Sequence, residues 1–595
     1  MFARKKKGFL GVAAVVLAGS LVVPLLAIGT TASATTVRPH VTLSHANTVF
    51  SSGVMYSPPT VWNPNAQGSF ATGTEGFLYE TLFLYNPITN KYIPWLANSG
   101  KWTSTTKYVL TLRGGIKWVS DVANGQAVKG FMTGADVVFT IMLAKTDPGI
   151  YYSNLANDVS GATAVGNTVT VTFKHPAAED WQSFLYQDPI LPSSSVYGMG
   201  DWNTTELNTG ANTAPVASGP MSLDSANTNS EEVCYTTNPN WWGANVKSLG
   251  NPSFKFGHWC DTVNSSNNVE LTDFLTGAID LSNNFLPGIA ALIHAASPGG
   301  STYGNISTYY PRPPYMLSAN TVWLEPNLSK KPMSNLYFRK AVAAAVNESQ
   351  IVNVDYTNLV DASNPTGLMP SQKSYIDTAA VKQYGFSFSK ATAKADLKKS
   401  NYKGQTVTIE CPAGWTDWMA AINLIVKDLK GVGIKAEALF PSYATRTSDI
   451  EDGTYDFAID NNASIAADPY NYFYRMFRLP VQKVQSAQDN WERFDAATVG
   501  GVAGKAWGLV KDLNATAMTA KTARQAIFNK LETIELQYLP EIPVWYNGAW
   551  AQYSASHWKH WPHSTAKGDQ YTPVMWAGWL GQMTTVLALA QLAHS

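Results

Sequence analysis

Charge is what this 595-residue chain has least of. Only 14% of its residues are charged, against roughly 25% in ordinary soluble domains. The 42 basic and 42 acidic residues cancel. A chain with no basic excess is poorly suited to nucleic acid or an anionic membrane surface. Cysteine is scarce too, with three residues at 234, 260 and 411. There is no Cys-x-x-Cys and no Cys/His metal spacing, so neither a zinc cluster nor a dithiol redox site is expected. Catalytic signatures are equally thin. No Gly-x-Ser-x-Gly elbow occurs, and Gly504-Lys505 lacks the upstream Gly and following Ser/Thr of a phosphate loop. Glu231 and Glu232 are adjacent, so on a strand they diverge, unlike the converging carboxylates of a glycosidase. No repeat recurs at a period of about 20 to 50 residues. The reading is a non-enzyme without cofactor or metal.

What the chain has instead is Asn, Thr, Ser and aromatic rings, with 20 Trp and 28 Tyr. Its N-terminus reads as an export signal. Arg4-Lys5-Lys6-Lys7 is a basic start, Gly8 to Ile28 is apolar apart from Pro24, and Ala32-Ser33-Ala34 is a small-x-small cleavage site. Cleavage after Ala34 is expected; an uncleaved anchor is the alternative, since the run is long enough to span a bilayer. Losing Arg4, Lys5, Lys6 and Lys7 would leave the balance acidic by four charges. No Cys follows the apolar run, so a lipid on an N-terminal Cys is not available. Outside the cell Cys234 and Cys260 could pair, leaving Cys411 as a buried thiol. His557, His560 and His563 are spaced three apart, but Trp558, Trp561 and Pro562 interrupt them, and the run reads as a loop.

Residues 106–112 and Thr168 to Phe173 alternate as half-buried strands. Thr133-Gly134-Ala135-Asp136 reads as a capping box opening a helix to about Lys145. Residues 203–230 read as a long surface connection. Ser334 is placed to cap a helix from Asn335 to Val346, and another helix is expected over 389–400. The clearest pattern follows. Thr406 to Glu410 is a short strand, Thr416 is placed to cap a helix ending at Gly431 and Gly433, and Ile434 to Phe440 is a second strand. A short helix spans about 443–452, and Tyr455 to Asp460 is a third strand. Such a βαβαβ unit has parallel strands and binds ligands beyond their carboxyl ends. Trp415, Asp417 and Trp418 follow the first strand; Asp460, Asn461 and Asn462 follow the third. Indole faces stack on sugar rings, and carboxylates and amides pair with hydroxyls.

Several further segments carry a family resemblance. They are Tyr79-Glu80-Thr81-Leu82, Leu112-Arg113-Gly114-Gly115-Ile116-Lys117-Trp118, Thr133 to Phe139, Asn238-Pro239-Asn240-Trp241-Trp242-Gly243 and Phe338-Arg339-Lys340-Ala341-Val342. In this order the chain resembles the family 5 extracellular solute-binding proteins of ABC importers, which include dipeptide- and oligopeptide-binding proteins. Leu185 to Pro192, Leu281 to Gly288, Asn364 to Leu368 and Gly414-Trp415-Thr416-Asp417-Trp418 look more narrowly like its cellobiose- and cello-oligosaccharide-binding branch. Ala217-Ser218-Gly219-Pro220-Met221 departs from the usual Gly-Thr-Gly-Pro-Tyr, and the lipobox Cys is missing.

The resemblance implies an α/β, periplasmic-binding-protein-like fold with two lobes around a cleft and an extra subdomain. Lobe 1 would combine 35–74, 200–284 and 550–595, the subdomain would be 75–199, and lobe 2 would be 285–549. The chain would cross between lobes near Asn284 and Gly548. Asn283 and Asn284 lie at the first crossing, Trp545 with Tyr546 and Trp550 beside the second, and Asn63 in an early loop at the cleft mouth. With Trp415, Asp417, Trp418, Asp460, Asn461 and Asn462 these are the expected ligand-binding residues. Trp241 and Trp242 are expected to be structural. The implied function is an exported monomer that delivers an oligosaccharide, cellobiose or another β-linked one, to an ABC permease. The alternative is a peptide-binding protein of the same fold, in which Asp417 or Asp460 would hold the free amine.

Overall fold

The structure is a computed structural model. It describes residues 43–52, 62, 64, 76–120, 128–147, 150, 152, 154–193, 215–296, 302–461, 465–481, 490–564, 571–573 and 584–595. The export segment, Asn63 and Asn462 lie outside the described residues.

Two sheets organise the described residues. The first has eight strands. At its centre Thr48–Ser52 runs parallel to both His258–Thr262 and Leu281–Ser282. Glu232–Thr237 pairs antiparallel with His258–Thr262, and Cys234 sits directly across from Cys260 and is bonded to it. The second sheet has five strands. Here Val407–Glu410 lies between Ala436–Leu439 and Phe457–Asn461, parallel to both. The βαβαβ unit is therefore present, with helices Thr416–Val432 and Tyr443–Asp452 as its crossovers. Leu317–Pro326 and Ile542–Ala549 complete this sheet antiparallel. A four-stranded antiparallel sheet pairs Lys107–Leu112 with Thr168–Phe173, and it shares one apolar core with the first sheet.

These sheets are the hearts of two lobes, and their strand order corrects one expectation. The chain does not leave the first sheet at Asn284, because Thr302–Tyr303 and Ile306–Thr308 return to it. It crosses between Thr308 and Leu317, and comes back between Ala549 and Gln552. The return path is lined by aromatic rings: Tyr356 packs on Trp545 at 5.4 Å and on Trp550 at 6.1 Å, and Phe285 packs on both Tyr356 and Trp550.

Local signals fared well where the decisive groups are neighbours in sequence. Thr133 and Asp136 form the expected capping box at helix Gly134–Thr146. Asn335, not Ser334, caps Leu336–Ala345, its Oδ1 accepting from the N–H groups of Tyr337 and Phe338. The stretch 203–230 is not all surface, since Met221–Leu223 is a buried strand of the first sheet. Gly219 just before it has no room for a side chain: a Cβ there would lie 2.0 Å from the Phe77 carbonyl oxygen. Nearby, buried Glu80 accepts from the indoles of Trp95, Trp241 and Trp242 at 2.9, 3.1 and 3.0 Å, and from the Ser218 hydroxyl at 2.8 Å. That hub explains why Trp241 and Trp242 are scaffold.

Candidate functional site

In both sheets the carboxyl ends of the parallel strands point toward one region. On the first lobe the ends are Ser52, Thr262 and Ser282, followed by the loop 263–266 and helix Asn267–Thr276. On the second they are Glu410 and Asn461. The loop after Glu410 meets the loop after Thr262. Gly414 takes φ +92, and a Cβ on it would come within 3.7 Å of the Ser265 carbonyl oxygen. Asn267 Nδ2 donates to Thr416 Oγ1 at 3.1 Å. Thr416 is thus the first residue of its helix and bonds across to the first lobe. Trp415 occupies the cap position, without a side-chain cap bond.

The two indoles differ. Trp418 is buried in the second lobe's core at 3% exposure, while Trp415 is half-buried. They meet edge to face at 4.7 Å, and Trp415 also faces the exposed Tyr443 ring at 6.0 Å. Asp417 is buried and accepts from the Tyr356 hydroxyl at 3.2 Å. Burial pushes its carboxyl up to about 6, against the hydrogen bonds it accepts from backbone N–H groups, Tyr356 and Asn267.

Across from this loop, Asn283 and Asn284 are buried at 8% and 3% exposure. The Asn283 N–H donates to Ser52 O at 2.8 Å. Asn284 Nδ2 donates to Glu270 Oε2 at 2.7 Å, and Ser282 Oγ to Glu270 Oε1 at 2.5 Å. Desolvation pushes Glu270 up to about 8, so near neutral pH it is largely an uncharged acid. Asn264 Nδ2 donates to Ser52 Oγ at 3.0 Å. Asn264, Asn267 and Glu270 escaped the sequence reading. The signal was there: Asn264 and Asn267 belong to an amide- and hydroxyl-rich loop directly after a parallel strand, the placement that singled out Trp415.

Two expected residues are occupied otherwise. Asp460 lies within its strand rather than beyond it, and Arg446 holds its Oδ2 at 2.5 Å. Arg475 approaches Oδ1 at 3.7 Å and also donates to the Asn461 carbonyl. Trp545 is fully buried in the second core, against Tyr356. Asn461 is half-buried at the strand end, its N–H donating to Asp460 Oδ1 at 2.6 Å.

The His run does not converge. His557 Nδ1 lies 2.9 Å from Asp280 Oδ1 and its ring stacks on His45 at 3.7 Å, while His560 is exposed. His45 Nδ1 lies 3.1 Å from Asp280 Oδ2. The two imidazole planes lie 19° apart, a stacked pair. The trio is therefore read as imidazoles hydrogen-bonded to one buried carboxylate.

With that geometry in view, the model for bacterial extracellular solute-binding proteins, family 5 (middle), matches residues 91–481. The chain belongs to this family. A periplasmic oligopeptide-binding protein of an oligopeptide ABC transporter from Thermotoga maritima is 33% identical, with a TM-score of 0.81 over 93% of this chain and 100% of that one. A mannohexaose-bound structure of such a protein from Thermotoga maritima is 34% identical, with the same TM-score and coverage. The fold extends to a dipeptide-binding protein from Pseudoalteromonas sp. SM9913 in complex with Met-Leu, 15% identical with a TM-score of 0.68 over 92% of this chain and 100% of that one. No curated protein matches. This family 5 member is a solute-binding protein that works with an ABC permease, on the periplasmic or extracellular side.

Proposed function

We propose that this solute-binding protein captures a neutral oligosaccharide, cellobiose or another β-linked one, and presents it to its permease by closing two lobes around it. The observation that carries this reading is the set of neutral amides, Asn264, Asn267, Asn283 and Asn284, beside the half-buried Trp415 where the two sheets' loops meet. A peptide's free amine calls for an available carboxylate. Asp460 is held by Arg446, and Asp417 is buried and hydrogen-bonded to Tyr356. What lies where the two sheets' loops meet is amide and indole: Asn264, Asn267, Asn283, Asn284 and Trp415. These groups donate and accept without net charge, as sugar hydroxyls require. The mannohexaose-bound relative supports the same ligand class.

In this reading the half-buried Trp415 supplies the stacking face and Trp418 holds it edge-on. Asp417, Asn283 and Asn284 pair with hydroxyls, together with Asn461 and, outside the described residues, Asn63 and Asn462. Asp460 and Trp545 build the walls. Lobe closure would desolvate these contacts and create the form the permease reads. The protein would be exported as a monomer, with cleavage after Ala34.

The oligopeptide-binding name of one relative favours a second reading, a peptide ligand. Isothermal titration against cellobiose, other β- and α-linked oligosaccharides and a mixture of di- and tripeptides separates the two. Heat with β-linked sugars is expected. Heat with peptides alone would sink the sugar reading, and shortened sugars after incubation would show an enzyme.

A further inference from the structure

Far along the chain from the candidate site, the lobes touch through a helix that lacks a cap of its own. Helix Ala178–Gln187, packed with the first lobe's core, starts after Ala177, which offers no side-chain acceptor. The N–H groups of Glu179 and Asp180 both donate to Asn514 Oδ1 at 3.1 Å. Asn514 belongs to helix Gly501–Ala515, whose buried face packs in the second lobe. Its other end completes the clasp: Asn514 Nδ2 donates to Asp180 Oδ2 at 2.9 Å and reaches Asp158 Oδ2 at 3.5 Å. Tyr470, also from the second lobe, donates to Asp180 Oδ1 at 2.9 Å. Beside it Arg524 bridges Glu179 and Asp468. Asn514 is buried at 7% exposure and Tyr470 at 3%.

Exposed helix-start N–H groups are a liability that an Asn side chain relieves. Ordinarily that Asn precedes the helix in sequence, so capping is independent of tertiary state. Here the cap is 334 residues away. Because it joins the two lobes, parting them there would remove it, and its capping free energy would favour the docked form. We propose that Asn514 is a positioning residue that caps helix Ala178–Gln187 across the lobe interface and thereby sets how readily the protein closes. The inference requires two lobes that move and does not depend on the ligand being a sugar.

The test uses the full chain without ligand. Hydrogen exchange at the Glu179 and Asp180 amides reads the cap, and small-angle X-ray scattering reads the separation of the lobes. Asn514→Ala is expected to speed exchange at these two amides by about tenfold and to raise the radius of gyration, with the melting midpoint little changed. Asn514→Ser keeps an acceptor oxygen and should restore part of both. Asn514→Asp keeps the acceptor but sets a charge against Asp158 and Asp180, and should open the lobes at least as far as Ala. Tyr470→Phe, which keeps the ring packing, should move both readouts the same way by less. Faster exchange with an unchanged radius would mean a frayed helix start alone, and would overturn the proposal. So would no change in Asn514→Ala and Tyr470→Phe, or full retention of the closed radius in Asn514→Asp.

Discussion

Asp417 and Asp460 are equivalent by sequence logic, each lying where a parallel strand of the second sheet ends, yet they live in opposite electrostatic worlds. Asp460 has two guanidinium groups around it, both also resting over the Trp491 ring. Among the described residues no cation pairs with Asp417; it has a tyrosine hydroxyl, an amide and the start of a helix. Topology brings a residue to the ligand-binding edge, and its neighbours then decide whether it is free to bind. An ion-paired aspartate fixes the wall, whereas one satisfied by neutral donors can exchange a partner for a ligand hydroxyl at small cost.

That contrast breaks first at Asp460. Asp460→Ala leaves Arg446 buried beside an absent partner, and a loss of about 3–5 kcal/mol is expected in urea unfolding. A loss below about 1 kcal/mol would mean the pair does not anchor the wall. Asp417 should behave in the reverse sense. Its folded carboxyl lies at about 6 against a usual 3.8. A raised acid contributes stability that is fully present below the unfolded value and lost as pH rises through the folded one. Between about pH 3 and pH 7 the wild type should therefore lose about 3 kcal/mol relative to Asp417→Asn. Parallel unfolding curves at both pH values would refute this.

A smaller effect separates the two indoles. Trp415→Ala should weaken sugar binding about tenfold, about 1.4 kcal/mol, by calorimetric titration, with little change in melting. Equal affinity would remove Trp415 from the site. The smallest effect is expected across the cleft. Glu270 lies at about 8 against a usual 4.5, so at about pH 3 it is protonated folded and unfolded alike, and Glu270→Gln should change stability there by less than about 1 kcal/mol. By the same sign rule, the wild type alone should weaken as pH climbs from about 4.5 toward 8 and lose no more beyond it. A large loss at that acid pH would show that its hydrogen bonds need more than an uncharged acid provides.

The second sheet's parallel unit was legible because its signals are local: short apolar runs, a long amphipathic helix and glycines that end it. The edge bearing Trp415 followed from strand order alone. Asp460's ion pair was not legible, since Arg446 and Arg475 sit on two different helices and meet only after packing. Nor was the pairing of Asn267 with Thr416, which joins segments about 150 residues apart across the lobes. The first crossing lies further along the chain than expected. The resemblance implied an exit near Asn284, but two short strands after it return to the first sheet.

The Glu80 hub has an optical consequence. Its carboxyl, raised by burial to about 7, touches three of the twenty indoles. Carboxylic acid and carboxylate perturb an excited indole differently, so Trp95, Trp241 and Trp242 form a built-in proton reporter. Emission scanned against pH should step near 7 with no ligand present, and Glu80→Gln should erase that step. Fluorescence titrations of ligand are therefore cleanest well to one side of neutrality, where the scaffold is silent and Trp415 can be heard.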